Sequence, residues 1–173
     1  MQLQEGENIL LELRPEKDVL KIWVFTKCVP AAFLGAFLTV WAFGFFGGMM
    51  GYAAGFEMGI LLAGPAAIVM FIGTLVYISF LRKTYVYRVT NRRCNFEGGI
   101  IRYADRSVTY DRITNVEKSQ NLLERIIGIQ SVWVQTAGTG VRKPEIVFEG
   151  LLNADAPLSE INRLKQGAAQ NDA

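Results

Sequence analysis

Few side chains in this sequence have the types and spacing that enzyme chemistry requires. The chain has no histidine, which excludes the Ser-His and Cys-His pairs that activate nucleophiles and the histidine ligands of zinc and haem. Cys28 and Cys94 are far apart and form no Cys-x-x-Cys pair that would predict a metal or redox site. Glu145 and Glu149 lie four residues apart on one face of a predicted strand, which is expected to face solvent. We therefore predict a non-catalytic protein without cofactor or metal.

The segment AGTGVRK (137–143) is the one stretch that could suggest phosphate binding. A phosphate-binding P-loop requires GxxxxGK[ST] between a strand and a helix. Here two glycines lie between two predicted strands, so we predict a hairpin turn instead.

A basic segment that also contains aromatic residues gives a clearer indication of a binding function. Residues 82–112 hold eight Lys and Arg against three acids. Basic residues just inside a membrane attract anionic lipid by about 1 kcal/mol each. Basic and aromatic residues also bind single-stranded nucleic acid, but the net charge of the whole chain is only +2 and argues against that partner. The candidate lipid-headgroup contacts are Arg82, Lys83, Arg92, Arg93 and Arg102.

The element that must position this segment is a long apolar stretch before it. Between Lys27 and Arg82 the sole charged residue is Glu57. Because a helix of about 20 apolar residues crosses a bilayer, the stretch is too long for one crossing. We predict a transmembrane helical hairpin over residues 28–81, with helices at 29–50 and 58–81. Residues 1–27 would form a cytoplasmic arm that is too acidic for a signal peptide.

Charges on the two flanks predict the orientation of this hairpin. Lys and Arg residues precede the first helix and follow the second, whereas the connecting turn has none. By the positive-inside rule, both termini lie in the cytoplasm and the turn lies outside. We therefore predict a multi-pass protein of a prokaryotic plasma membrane.

Small residues recur at every fourth position in the hairpin and suggest close helix packing. They would form either the hairpin's own seam or a surface for a partner helix. The candidate seam is Gly47, Gly51, Gly55, Gly59 and Ala63.

Glu57 falls beside the glycine-rich turn. We expect it to occupy a solvated loop position there, and a role in a proton or ion relay is the alternative.

Beyond Thr84 the sequence alternates as β-strands do, with turn residues between short apolar runs. The stretch SQNLLERIIGIQSVWVQTAG interrupts this pattern with apolar pairs at helical spacing. We predict a short helix there, whose row packs into the core or faces the bilayer or another protein. After Asp155 the spacing of Leu158, Ile161 and Leu164 predicts a closing helix, and residues 167–173 a disordered tail. The candidate interaction helix comprises Leu122, Leu123, Arg125, Ile126 and Ile127.

Several motifs together resemble the bacterial pleckstrin-homology (PH)-like family of membrane proteins, the YdbS/YdbT type. They are EGENIL, YVYRVTNRRCNFEGG, YDRITNVEKSQNLLERIIGIQSVWVQTAG and IVFEGLLNADAPLSEI, in this order. In the third motif the matching residues are Ile113, Val116, Gln120, Arg125, Gly128 and Gly138. The resemblance implies that residues 84–166 form a PH-like α+β domain, an antiparallel barrel or split sheet with a C-terminal capping helix.

The resemblance and the hairpin together predict a membrane-anchored cytoplasmic module that mediates protein–protein interaction at the inner face of the membrane. Family members often carry several copies of the domain, whereas this chain has room for one, so self-association or a second protein is expected. The alternatives are an accessory or assembly subunit of a larger membrane complex, an anionic-phospholipid sensor, and a transporter component that uses Glu57.

Overall fold

The computed structural model describes residues 4–51, 54–137 and 144–171. These form two compact units. The hairpin unit is residues 20–79, and the sheet unit combines the described residues up to Val19 with those from Phe80 onward. The predicted turn after Ala137, the two residues 52–53 and the last two residues of the predicted tail lie outside the described residues.

Two long apolar helices follow each other in the chain. A continuous helix of 31 residues runs from Val19 to Met49, and a second helix, α3 (Gly55–Thr84), spans 30 residues. By length and composition, both helices are able to cross a bilayer. Pro65 lies inside α3 without ending it, as transmembrane helices tolerate when neighbouring groups satisfy the freed carbonyl. The first of these helices consists of three consecutive segments, which are α1 (Val19–Trp23), a π-helical turn (Val24–Cys28) and α2 (Val29–Met49).

Both long helices begin earlier than predicted. The first begins at Val19, within the segment predicted as an arm, rather than at residue 29. Pro30 lies in the first turn of its α2 part. Helix α3 starts three residues earlier than predicted, so Glu57 lies in its first helical turn rather than in a loop, and is exposed. An acidic side chain is favourable there because the N-terminal end of a helix carries partial positive charge.

The sheet unit contains two antiparallel sheets of four and three strands, ordered β1-β2-β3-β4 and β5-β6-β7. A single helical turn of the 3₁₀ type, Tyr110–Arg112, connects β4 to β5. The described strands thus form a split pair of sheets, one of the two predicted forms. The strands are β1 (Ile9–Leu13), β2 (Val86–Thr90), β3 (Arg93–Gly98), β4 (Ala104–Thr109), β5 (Ile113–Ser119), β6 (Gln130–Thr136) and β7 (Ile146–Leu151).

Strand β1 belongs to the segment that the sequence analysis assigned to a separate N-terminal arm. It pairs with β2 from Ile9 opposite Thr90 to Leu13 opposite Tyr87. The two strands of this pair therefore lie on either side of the hairpin in the chain. The domain is built from residues that precede both apolar helices as well as from residues that follow them.

The core lies between the two sheets and beneath the last helix, α5 (Asp155–Asn171). Tyr87 is fully buried, and its ring stacks on Phe96 and Phe148 with centroid distances of 5.8 and 4.9 Å. From α5, Ile161 is fully buried, and Leu158 and Leu164 pack against the same cluster, as their spacing predicts. The helix continues to Asn171, five residues past the predicted end of the domain at residue 166 and into the segment predicted as a disordered tail.

Candidate interaction surfaces

Glycines in the hairpin unit set how closely α2 and α3 approach. A Cβ atom on Gly47 would lie 2.7 Å from Gly55 Cα, and one on Gly59 would lie 3.0 Å from Val40 Cα. Each of these positions is therefore restricted to glycine by backbone across the seam. Gly51 differs, because a Cβ there would meet no atom within 4 Å and its φ of 75° marks a turn. Part of the small-residue row thus packs inside the hairpin itself.

A buried acid links the N-terminal segment to the β2–β3 turn. The Glu7 side chain is 0% exposed, and its Oε1 accepts hydrogen bonds from Arg93 Nε and Thr90 Oγ1, both at 2.8 Å. Its Oε2 accepts from Arg93 Nη2 at 2.9 Å and from the backbone N–H of Gln4. These bonds, with that of Arg93 foremost, lower the pKa of Glu7 from its usual 4.5 to about 2. Glu7 was missed in the sequence because its side-chain partners, Thr90 and Arg93, lie more than 80 positions away.

The candidate headgroup residues occur in two separate places. Arg92 is exposed at the β2–β3 turn, and Arg93 beside it holds Glu7 with its guanidinium. Arg102 is exposed in the β3–β4 loop, at the opposite end of β3. The six residues of β3 separate these ends by about 17 Å. One continuous rim that includes all three arginines does not form.

Arg82 and Lys83 lie at the same end of the sheet unit as Arg102. Both are in the last turn of α3, whose final residue Thr84 accepts a hydrogen bond from the Gly99 backbone N–H at 3.1 Å. Arg82 Nη1 donates to the Pro15 carbonyl at 2.9 Å. Lys83 is exposed, and its Nζ lies 5.4 Å from the centroid of the Phe80 ring.

Helix α4 (Leu122–Ile127) is the predicted short helix, and it presents its apolar row outward. Leu122 is 74% and Ile126 is 72% exposed. The expectation that this row packs into the core is therefore wrong for these two residues. The residue that α4 buries is Glu124, whose Oε1 accepts a hydrogen bond from Ser131 Oγ at 2.7 Å.

Local interactions make this six-residue helix well defined. Asn121 caps its N-terminus by accepting from the Glu124 backbone N–H at 2.9 Å, and Glu124 Oε2 accepts from the Asn121 backbone N–H at 2.8 Å. This reciprocal pair is a capping box. Gly128 ends the helix with φ of 83°, a left-handed conformation that favours glycine. The exposed apolar row is therefore held on a capped element.

Within the described residues, no group of three or more His, Cys, Asp or Glu side chains is arranged to hold a metal ion. Cys94 is fully buried, and burial raises the pKa of its thiol to about 12. With this pKa the thiol is protonated at neutral pH. Because the thiolate is the nucleophilic form, and because Cys94 is buried, the thiol is protected from reagents in solution.

Comparison with known proteins identifies the family of this chain. A family model described as Bacterial PH domain matches residues 19–166. No curated protein matches the chain. Among solved structures, a DUF1696 family protein with a pleckstrin-homology domain from Shewanella loihica PV-4 is similar at 18% identity over 48% of this chain and 68% of that chain, with a TM-score of 0.32. The resemblance seen in the sequence is confirmed, and the chain belongs to the bacterial PH domain family.

Proposed function

We propose that this chain is a membrane-anchored, non-catalytic module that binds a protein partner at the cytoplasmic face of a prokaryotic plasma membrane. Domains of its family are in general modules for binding proteins or lipids. The observation that carries the proposal is the pairing of β1 with β2 on either side of two exposed apolar helices. Since strands of one sheet cannot be separated by a bilayer, both ends of the hairpin emerge on the same side.

Exposure of the hairpin helices supports their insertion into lipid. Only 6% of the most apolar window of each helix is buried, whereas the core helix of a water-soluble protein would be mostly buried. Phe33, Phe37 and Leu61 are each at least 56% exposed. An apolar surface of this extent is unfavourable in water and favourable in hydrocarbon.

The positive-inside rule assigns the sheet unit to the cytoplasm. Lys27 precedes α2, Arg82 and Lys83 end α3, and the described residues between α2 and α3 carry no Lys or Arg. Both termini are then cytoplasmic, and the turn after Gly51 is external.

Helix α4 is the surface we assign to the protein partner. Leu122 and Ile126 lie one turn apart on the same face, with Leu123 also 37% exposed and Arg125 beside them. Exposed apolar side chains on a fixed element, flanked by arginine, have the composition that is enriched at protein interfaces. Capping at both ends limits the conformational entropy that binding would cost.

Photo-cross-linking in native membranes tests this assignment. A photoreactive amino acid at Ile126 in the full chain is expected to give a discrete protein adduct, whereas one at Ser159, exposed on α5, is not. Leu122→Asp should reduce the Ile126 adduct by about tenfold or more, because a carboxylate would be desolvated in an apolar contact. Leu152→Asp, at another leucine that is 58% exposed, should leave it unchanged. No adduct at Ile126, or an equal adduct at Ser159, would refute the assignment.

An anionic-lipid sensor is the second candidate function, and one observation favours it. Arg102 and Lys83 are exposed at the end of the sheet unit where α3 ends, which is where headgroups would be met. The alternative of an accessory subunit that docks through its glycine row is less favoured, since Gly47 and Gly55 already contact each other. Transport through Glu57 is also less favoured, because Glu57 lies in the first turn of α3 rather than at its midpoint.

A further inference from the structure

The β3–β4 loop, residues 99–103, exposes apolar side chains in a short, turn-forming segment. Ile101 is 86% exposed, Ile100 is 44% exposed and Tyr103 is 59% exposed. Arg102 between them is also exposed. Single exposed apolar residues are ordinary on protein surfaces, but here three of five consecutive residues are large, apolar or aromatic, and exposed.

The loop is fixed on the end of α3. The Gly99 N–H donates to Thr84 Oγ1 at 3.1 Å, and this hydroxyl donates to the Leu81 carbonyl at 2.8 Å. A side chain at Gly98 would collide with the Tyr85 ring, and one at Gly99 with the Arg102 carbonyl. Close packing on both glycines therefore holds the loop in place and leaves Ile101 pointing away from the sheet unit.

Thr84, to which the loop is hydrogen-bonded, lies at the basic end of α3. Thr84 is the last residue of α3 and follows Arg82 and Lys83, the first basic residues after the apolar stretch. At 1.5 Å per residue, Thr84 lies about 3 Å beyond Arg82 along the helix axis. Gly99, hydrogen-bonded to Thr84, therefore lies beside the first basic residues that follow the apolar stretch in the chain.

We infer that the β3–β4 loop is an interfacial anchor, which inserts Ile100 and Ile101 into the cytoplasmic leaflet of the membrane. The inference rests on the proposed insertion of the hairpin and specifies how the sheet unit is held against the lipid surface. Arg102 and Tyr103 have the side chains that membrane proteins place at the headgroup level, because each combines an apolar body with a polar tip. Lys83 adds positive charge at the same level, which favours an anionic lipid surface over a protein contact.

Depth-dependent fluorescence quenching in liposomes tests the inference with the full chain. An environment-sensitive thiol probe is attached to Ile101→Cys, to Asp111→Cys and to Leu38→Cys in separate variants. Residue 111 is exposed beyond the opposite end of β3 and β4, and residue 38 is exposed near the middle of α2. The unsubstituted chain, whose Cys28 and Cys94 are buried, gives the labelling background.

We expect a lipid with a nitroxide near its headgroup to quench the probe at residue 101 several-fold more than the probe at residue 111. A lipid with a nitroxide deep in the acyl chain should quench residue 38 most. If residue 38 is quenched while residues 101 and 111 are quenched equally, the loop does not enter the lipid and the inference is overturned. A probe at residue 101 that is shielded from water but not reached by the lipid nitroxide would assign the loop to a protein contact and also overturn it. If residue 38 is not quenched, the proposed membrane insertion itself fails.

Discussion

Replacing Glu7 by alanine is expected to lower the free energy of unfolding of the sheet unit by about 3–5 kcal/mol. The change removes the Glu7 carboxylate from the Arg93 guanidinium, whose side chain is 16% exposed, and removes an acceptor from Thr90. It also releases the segment that leads into β1. The rate at which the Cys94 thiol is alkylated in detergent-solubilised full chain measures this loss, because Cys94 is fully buried and reacts only when its surroundings open.

Glu5→Ala is the matched control, since Glu5 is an exposed acid two residues away. It should change the unfolding free energy by less than about 0.5 kcal/mol. Equal alkylation rates for the Glu7 and Glu5 variants would contradict the view that Glu7 fastens the N-terminal segment to the sheet.

Acid should act through the same carboxylate. Because the folded-state pKa of Glu7 is lowered from 4.5 to about 2, its contribution to stability is fully present above about pH 4.5 and is lost as pH falls toward 2. The pKa of Glu97 is likewise lowered to about 2, by the Tyr103 hydroxyl and Arg88, so part of the acid sensitivity remains without Glu7. Glu7→Gln should therefore reduce the fall in the free energy of unfolding between pH 5 and 2 without abolishing it. The part that is removed corresponds to the difference between the unfolded-state and folded-state pKa values of Glu7.

Introducing leucine at Gly47 is expected to separate α2 from α3 and to cost the hairpin about 1–3 kcal/mol or more. A Cβ at this position would lie 2.7 Å from Gly55 Cα, and backbone in a helix cannot move aside as a flexible side chain can. Titration of the full chain with SDS in lipid bicelles, followed by far-UV circular dichroism, measures the loss.

Gly48→Leu is the control on the neighbouring residue, where a Cβ would meet no atom within 4 Å. Both substitutions add the same side chain to the same helix, so differences in helix propensity and lipid solubility cancel. Similar SDS sensitivity of the two variants would show that the glycine row does not set the approach of the helices.

Patterns local in sequence predicted most elements of the fold. The long apolar stretch predicted two helices, although the first of them begins at Val19, within the segment predicted as an arm. The interruption between two alternating runs predicted α4, and the spacing of Leu158, Ile161 and Leu164 predicted the buried face of α5. Each of these signals depends on neighbours within a few turns of helix or a few strand residues.

Contacts between residues far apart in the chain, and the exposure of a helix face, could not be predicted from such local patterns. Nothing near Glu7 indicates Arg93, which lies 86 positions away, beyond the hairpin. For the same reason β1 could not be assigned to the sheet. The periodicity of Leu122 and Ile126 shows that they share a helix face, but the direction of that face depends on how α4 packs. The structure buries Glu124 and exposes both apolar side chains.

Sidedness of thiol labelling tests the central claim most directly, namely that two membrane crossings separate two strands of one sheet. In three separate variants, a cysteine replaces Glu5, Glu57 or Asp111, each of which is exposed. A membrane-impermeant maleimide is added to sealed vesicles of known orientation, and the unsubstituted chain, whose two cysteines are buried, gives the background. Residues 5 and 111 are expected to label from the cytoplasmic side alone, and residue 57 from the opposite side alone. Labelling of residue 57 from the same side as residues 5 and 111, or of residues 5 and 111 from opposite sides, would contradict the account.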